Sequence, residues 1–224
     1  HSILYENLSP VFADIDEYLC LDPDSVESKI TPKTKAVMFV GIGGNTGQLD
    51  VISEICKRYN LRLILDAAHM AGTYVKRGDE IRHVGSEADV SIFSFQAVKN
   101  LPTADSGMIC FKDKKYSEIA RKLSWLGIDI DTYKRTDPKG TYKWRYDVPH
   151  VGFKYHGNSI MAAVGLVQLK YLDEDNKYRN YISNFYDSKF EDNEKFSIIG
   201  SAPYCHINSS HLYQTKLIMV TVPQ

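Results

Sequence analysis

Apolar and polar residues alternate in blocks along the first half of the chain. Residues 35–40 form a short apolar run that ends at glycines, which is typical of a buried parallel strand. Residues 48–59 then place apolar side chains at helical spacing. Apolar runs predict further strands at 61–65, 89–95 and 107–111. Strands that alternate with helices indicate an α/β fold, with a mainly parallel sheet covered by helices.

The second half of the chain is less regular. Asp113 is placed to cap an amphipathic helix that Gly127 closes. A segment rich in charged, glycine and aromatic residues, 129–151, leads to a helix predicted at 159–172, and 216–222 has the pattern of a strand. The first residues resemble the end of a helix and the last ones begin a new element, so we expect the sequence to be part of a longer chain.

The composition is that of a globular protein and argues against several classes of function. Of 224 residues, 43% are hydrophobic and 25% are charged, and the net charge is -1. Because 27 basic residues balance 28 acidic ones, nothing favours nucleic acid as a partner. The four cysteines are widely spaced without a CxxC pair, which argues against a metal or disulfide framework and suits the reducing cytoplasm. We also expect no membrane span, since no apolar run is long enough.

Candidate chemistry falls where predicted strands end, because loops and helix N-termini converge at the carboxyl edge of a parallel sheet. The first such place is GIGGNTG at 41–47. Its glycines do not fit the dinucleotide pattern G-x-G-x-x-G, which requires glycine where this chain has Thr46. We therefore favour a flexible turn between a strand and a helix over a phosphate cradle.

The second place is LILDAAHMAG at 63–72, where Asp66 ends a strand and His69 follows three residues later. A carboxylate at a strand end often only caps the next helix, and a lone histidine is more often structural than reactive. The two alanines between them, however, leave space beside both groups for a flat ligand. The sequence alone leaves both interpretations open.

The third place is FSFQAVKN at 93–100, in which Lys99 closely follows an apolar strand. Most lysines are solvated surface charges, but a lysine beside a cofactor loses its charge readily, and a neutral amine attacks carbonyl carbons. Lys99 together with Asp66 suggests pyridoxal 5'-phosphate (PLP), which needs a lysine to hold its aldehyde and an acid beside its ring nitrogen. Ser94, at the same strand end, offers a hydroxyl to the phosphate.

These residues lie in segments that resemble the DegT/StrS-type sugar-nucleotide aminotransferases, which have the aspartate-aminotransferase-like fold. PVFADID at 10–16 and ITPKTKAVMFV at 30–40 resemble an early strand of the family and the approach to its next one. LILDAAHMAG resembles its Asp-Ala-Ala-His/Gln cofactor motif, and FSFQAVKN resembles its Phe-Ser-Phe-x-x-x-Lys-Asn Schiff-base motif. Residues 151–173 resemble the start of a conserved family helix, so the likeness covers nearly the whole chain.

The resemblance implies a role for each candidate residue. Lys99 would form the Schiff base with PLP, and Asp66 would pair with the pyridinium nitrogen. His69 would lie near the ring hydroxyl, and Ser94 would bind the phosphate. In this family a side chain of the neighbouring subunit, usually asparagine, completes the phosphate site, and this sequence has Lys154 at that position.

The resemblance also implies how the chain is organised. It predicts part of the three-layer PLP-binding large domain over residues 1–150, and the helix and beginning of a small domain over 151–224. A glycine–threonine phosphate loop and an aromatic residue over the cofactor ring would precede the first residue. This chain departs from the family at Lys154, at His156 in place of a frequent arginine, and in the altered segment TADSG, which affects substrate choice more than cofactor choice.

The resemblance therefore implies a homodimeric, PLP-dependent aminotransferase, which we expect in the cytoplasm. It would move an amino group, from glutamate as donor, onto a keto-deoxysugar attached to a nucleotide. A related alternative is a PLP-dependent sugar dehydratase, although those enzymes replace the Schiff-base lysine with histidine and Lys99 argues against it. Two further alternatives are a non-catalytic PLP-binding sensor of the same fold and a generic α/β domain without cofactor.

Overall fold

The computed structural model describes residues 1–130 and 146–218. In chain order its elements are α1 (Ser2–Tyr5), α2 (Pro23–Ser28), β1 (Ala36–Val40), a 3-10 turn (Ile42–Gly44), α3 (Leu49–Arg58), β2 (Arg62–Asp66), β3 (Tyr74–Arg77), β4 (Glu80–His83), a second 3-10 turn (Val84–Ser86), β5 (Val90–Ser94), β6 (Gly107–Phe111), α4 (Lys114–Ser124), α5 (Ser159–Gln168), α6 (Leu172–Phe190), β7 (Phe196–Ile198), β8 (Cys205–Ile207) and β9 (Thr215–Leu217).

The main sheet has the strand order β1-β2-β5-β6. The first three strands are parallel, and β6 returns antiparallel to β5. Alternate residues of β1 and β2 are buried, and the buried face of α3 packs with theirs in one core, in which Phe39, Leu49 and Leu65 are fully buried. Each such side chain contributes about 1.5–3 kcal/mol by leaving water. The predicted α/β architecture with a mainly parallel sheet is confirmed, and the predicted strands match β1, β2, β5 and β6 to within one residue at each end.

Most local signals in the sequence also hold. Asp113 caps α4, since its side chain accepts a hydrogen bond from the backbone N–H of Lys115. The helix ends at Ser124, and Gly127, with φ of 76°, closes it by donating its N–H to the carbonyl of Lys122 over 2.9 Å. Within the described residues no helix is long and apolar enough to cross a membrane. Part of the segment 129–151 and the end of the strand predicted at 216–222 lie outside the described residues, and β9 ends at Leu217.

Several elements were not predicted, among them α2, β7 and β8, and two differences bear on the site. The helix expected at 159–172 ends at Gln168, and a separate helix, α6, runs on from Leu172 to Phe190. The hairpin of β3 and β4 was also missed, and β8 pairs antiparallel with β3. Residues after 200 thus contact the loops at the carboxyl edge of the main sheet, which places C-terminal side chains beside the predicted site.

Candidate active site

Four of the five predicted site residues lie at one edge of the sheet, because β1, β2 and β5 are parallel and end together. They are Asp66, His69, Ser94 and Lys99. Asp66, the last residue of β2, is the register partner of Val40 in β1 and of Ile92 in β5. Ser94 follows Ile92 by two residues and ends β5. The turn that begins at Gly41 leaves β1 at the same edge, where its N–H donates to the carbonyl of Asp66 over 3.1 Å.

The carboxylate of Asp66 is half-buried, and one of its two oxygens accepts a hydrogen bond. Its Oδ1 accepts a hydrogen bond from the backbone N–H of Ala68 over 3.1 Å, which shapes the turn toward His69. In the described part of the chain, Asp66 forms no ion pair and Oδ2 accepts no hydrogen bond. The turn thus fixes the carboxylate and leaves one oxygen to bind a ligand.

Lys99 lies in a loop whose two ends are joined by backbone hydrogen bonds. Phe95 donates to Ser106 over 2.8 Å, Thr103 donates to Phe95 over 2.8 Å, and Lys99 itself donates to Gln96 over 2.9 Å. The Lys99 side chain is half-buried and forms no ion pair with any residue that the structure describes. A tightly closed loop therefore holds the Lys99 amine at the sheet edge, outside any ion pair of the described residues.

His69 connects these two groups electrostatically. Burial lowers the pKa of His69, the positive charge of Lys99 lowers it further, and the negative charge of Asp66 raises it. Its Nδ1 accepts a hydrogen bond from the N–H of Gly43 over 3.2 Å. A neutral imidazole that accepts at Nδ1 carries its proton on Nε2. His69 therefore carries an N–H donor at Nε2, on a ring that feels both the Asp66 carboxylate and the Lys99 amine.

A second histidine, His211, was missed from the sequence. Its ring centroid lies 4.4 Å from that of His69, with the two rings tilted by 32°. We call these two residues the imidazole pair. Gly43 links them, because its N–H donates to His69 and its carbonyl accepts from the N–H of His211 over 2.9 Å. His211 is more than a hundred residues distant in sequence, and no motif around it indicates this contact.

Buried amides fix the orientation of the His211 ring. Asn100 Nδ2 donates to Asn176 Oδ1 and to the carbonyl of Ser209, both over 2.7 Å. Asn176 Nδ2 donates in turn to the carbonyl of Ala71 over 2.9 Å. Asn100 Oδ1 is then an acceptor, so His211 Nδ1, at 2.6 Å from it, is the donor. Neutral His211 thus carries its lone pair on Nε2.

The environment of His211 strongly favours the neutral form. Burial, followed by the charges of His69, Lys99 and Arg179, lowers the pKa of His211 to about 4. All three groups are cationic when protonated, so they repel a further proton on the ring. His211 is therefore held neutral beside His69 at the edge of the sheet.

The glycines of 41–47 form a turn after β1 that permits close packing. Gly43 and Gly44 have positive φ values of 66° and 98°. A Cβ on Gly44 would lie 2.2 Å from Ser209 Oγ and 2.6 Å from Asn208 Oδ1. The hydroxyl of Ser209 donates to the carbonyl of His69 over 2.6 Å. Glycine at this turn thus lets the C-terminal segment reach the imidazole pair.

Ser94 and Lys154 occupy different surroundings. Ser94 Oγ accepts a long hydrogen bond of 3.4 Å from the N–H of Gln96, so its own O–H stays available to a ligand. Lys154 is exposed, and its Nζ lies 3.5 Å from the ring centroid of Trp125. The structure brings together the sheet-edge residues Asp66, His69, Ser94 and Lys99, whereas no contact joins Lys154 to them within the described residues.

The donor set at the sheet edge fits PLP. Lys99 supplies an amine outside any ion pair of the described residues, Asp66 a carboxylate oxygen without a hydrogen bond, and His69 an N–H donor. These three groups match an aldehyde, a pyridine nitrogen and a ring hydroxyl of one small aromatic molecule. The arrangement can therefore hold a pyridoxal ring by groups of complementary chemistry.

Comparison with known proteins gives matches over nearly the whole chain. The sequence profile of the DegT/DnrJ/EryC1/StrS aminotransferase family matches residues 1–221. The spore coat polysaccharide biosynthesis protein SpsC of Bacillus subtilis (strain 168) is 35% identical over 222 residues, which cover 98% of this chain and 54% of SpsC.

Solved structures of aminotransferases share the fold of this chain. The aminotransferase TlmJ from Streptoalloteichus hindustanus superposes with a TM-score of 0.84 at 32% identity, over 97% of this chain and 55% of TlmJ. DesI, solved in the presence of its TDP-sugar product, superposes with a TM-score of 0.79 at 27% identity, over 97% of this chain and 51% of DesI. This chain therefore spans about half the length of the proteins it matches.

Proposed function

The chain belongs to the DegT/DnrJ/EryC1/StrS aminotransferase family, and on this premise we propose that it forms part of a PLP-dependent sugar aminotransferase. The protein moves an amino group, with glutamate as donor, onto a keto-deoxysugar that is attached to a nucleotide. The observation that carries the proposal is the gathering of Asp66, His69 and Lys99 at one sheet edge, where Asp66 and Lys99 both act on the His69 ring.

Each residue has a distinct task in this reaction. Lys99 would hold the cofactor through its aldehyde, and its amine would serve as the base that moves a proton at the substrate carbon. Asp66 holds a proton on the ring nitrogen, and His69 donates its Nε2–H to the ring oxygen. Bound PLP supplies the electron sink for the carbanion formed at the substrate carbon.

The phosphate and the substrates are bound by further groups. Ser94 donates its hydroxyl to the cofactor phosphate, and Lys154 reaches the phosphate of a second copy of the chain, so that the active site is shared in a homodimer. Lys154 is exposed and lies five residues before Ser159, the first residue of α5, a helix of mostly apolar residues of which none is buried. That surface is consistent with a partner subunit. The TDP-sugar product in DesI supports a nucleotide-linked sugar as substrate.

The test of this function is the replacement of Lys99 by alanine. Wild-type protein incubated with PLP is expected to turn yellow, and after borohydride reduction a peptide containing Lys99 should carry the pyridoxyl group in mass spectrometry. Lys99→Ala should lose the label and lose transamination by a factor of about 10² to 10⁴ or more. The matched control is Lys115→Ala, an exposed lysine of α4, which should keep both.

Two outcomes would contradict the proposal, one for the role of Lys99 and one for transamination. A pyridoxyl group found on another lysine, with Lys99 unlabelled, would refute the role of Lys99. Glutamate should bleach the yellow form of the wild type, since it leaves its amino group on the cofactor. Labelling of Lys99 without bleaching by any amino donor would instead indicate a PLP-binding protein that does not transfer amino groups.

A further inference from the structure

A cleft of about 160 Å³ opens beside His211, between α6 and the segment that precedes β9. This volume is well above the roughly 10–15 Å³ that one water needs, so the cleft has room for a small polar group. The residues that line it are Arg179, Ile182, Ser183, Ser210, His211, Leu212 and Tyr213. Through His211 the cleft touches the imidazole pair, but it contains none of the predicted cofactor residues.

Arg179 is the cation of this cleft, and it has no counter-charge there. The side chain is half-buried, and among the described residues it forms no hydrogen bond or ion pair. Asp175, one helical turn earlier and exposed, is at the spacing of a helix ion pair, yet the two side chains do not make one. A partly desolvated cation is costly unless an anion compensates it.

The surroundings of the cleft are positive and carry hydroxyl groups. Arg179 and Ser183 are four residues apart on α6 and so share a helix face, and the Ser183 hydroxyl has no partner within the described residues. Asp187, the next residue on that face, accepts a hydrogen bond from the hydroxyl of Tyr213 over 3.0 Å. The charge of Lys99 acts on His211 from the other side of the imidazole pair and also lowers its pKa, after burial and His69.

We propose that Arg179 and the Ser183 hydroxyl form a substrate subsite that binds an oxyanion, a carboxylate or a phosphate group, beside the imidazole pair. The planar guanidinium presents paired N–H donors that match two oxygens of such a group. The substrate interpretation rests on the proposed function, in which the amino donor carries carboxylates and the acceptor carries phosphates. Binding of the anion itself requires no cofactor.

Anion binding has a signature at His211. Burial is the main cause that lowers the pKa of His211 to about 4, and the charges of His69, Lys99 and, last, Arg179 add to it. A bound anion offsets the charge of Arg179, so it raises the pKa of His211. A mutation that removes the charge of Arg179 also raises the pKa of His211. In that variant an anion has no site to bind, so it can change this pKa no further.

The experiment is a proton NMR titration of His211, with its resonance assigned by comparison with His211→Gln. In wild type, glutarate or inorganic pyrophosphate should raise the titration midpoint by roughly half a pH unit. Arg179→Gln should raise it without any anion and abolish the response to both. Lys177→Gln removes an exposed charge from the same helix and should titrate like wild type, while Arg179→Lys should keep part of the response.

The two probes separate the source of the oxyanion. A response to glutarate alone assigns the subsite to the amino donor, a response to pyrophosphate alone assigns it to the nucleotide, and a response to both supports a general oxyanion site. No response to either probe, or the same response in Arg179→Gln, overturns the proposal. Because the titration needs neither PLP nor turnover, its failure is distinct from failure of the Lys99 experiment.

Discussion

Two regions near the candidate site differ in how their side chains are satisfied. One is a layer of buried polar residues behind the imidazole pair, which we call the polar layer, and the other is the exposed apolar helix α5. Asn100, Asn176 and Ser209 are buried polar residues in that layer, and no buried side-chain nitrogen or oxygen of the described residues lacks a hydrogen bond. Helix α5 has the sequence SIMAAVGLVQ, and none of its ten residues is buried. Ile160 is 79% exposed and Leu166 is 69% exposed.

The difference shows which part of the site this chain completes by itself. In the polar layer, hydrogen bonds that end on backbone carbonyls fix Asn100, and Asn100 fixes the ring of His211. At α5 the apolar side chains gain nothing until another surface covers them. We therefore expect changes in the polar layer to act within the chain, and changes near α5 to act through association.

The largest effect is expected from Asp66→Asn, which changes the charge at the sheet edge while keeping its geometry. Asparagine retains an oxygen that accepts from the N–H of Ala68, so the turn should persist. Loss of the charge opposite the cofactor nitrogen should slow transamination by roughly 10²-fold or more. The pKa of His69 should fall further, because the Asp66 carboxylate raises it in the wild type. Steady-state kinetics and NMR titration measure the two effects.

The matched control for Asp66 is Asp105→Asn, in the exposed part of the loop after Lys99. It removes the same charge without a contact to His69, so both turnover and the pKa of His69 should stay at wild-type values. Unchanged turnover in Asp66→Asn would refute the role of Asp66 as partner of the ring nitrogen. An unchanged pKa of His69 would refute the proximity of Asp66 and His69.

The next effect is on stability and concerns Asn176. Asn176→Ala leaves the carbonyl of Ala71 without its donor and removes one acceptor from Asn100, in a layer where both amides are buried. Unsatisfied buried polar groups should lower the free energy of unfolding by about 2–3 kcal/mol, as measured by urea denaturation. Asn184→Ala, an exposed asparagine of the same helix, is the control and should change it by less than about 0.5 kcal/mol.

A loss as small in Asn176→Ala as in the control would show that the amide network does not hold the layer together. The comparison between the polar layer and α5 would then lose its physical basis. Loosening of Asn100 should also change the titration of His211, because the Asn100 oxygen accepts its Nδ1–H. This second measurement separates an effect on the network from general destabilisation.

Much of the sheet and part of the site could be predicted because their signals are local. The apolar runs of β1, β2 and β5 are continuous, and a parallel sheet brings the ends of all three strands to one edge. Asp66 and Lys99 follow those strands closely, so their place at the edge follows from the strand pattern. Their chemical roles stay predictions, since they come from the resemblance.

The missed features depend on contacts between distant residues. Helix α6 is rich in Asn and Tyr, which have low helix propensity, so its sequence gives no clear helical pattern. Its first turns are held by Asn176 and Asn180, which bond to carbonyls of Ala71 and Asn208. The imidazole pair likewise forms only when β8 and its flanking loops pack against the edge, which no local pattern encodes.

The smallest effect is expected from Lys154→Gln, on the exposed side of the comparison. Its Nζ lies 3.5 Å from the Trp125 ring centroid, and such an exposed contact contributes about 0.5–1 kcal/mol, so unfolding should change by no more than that. Slight desolvation and then the charge of Lys154 lower the pKa of His156, so the mutation should raise that pKa in an NMR titration. The control is Lys170→Gln, exposed just after α5. If Lys154 reaches a second copy, Lys154→Gln should lower turnover clearly while the free energy of unfolding changes little. Equally small changes of turnover in Lys154→Gln and Lys170→Gln would place Lys154 outside the shared site.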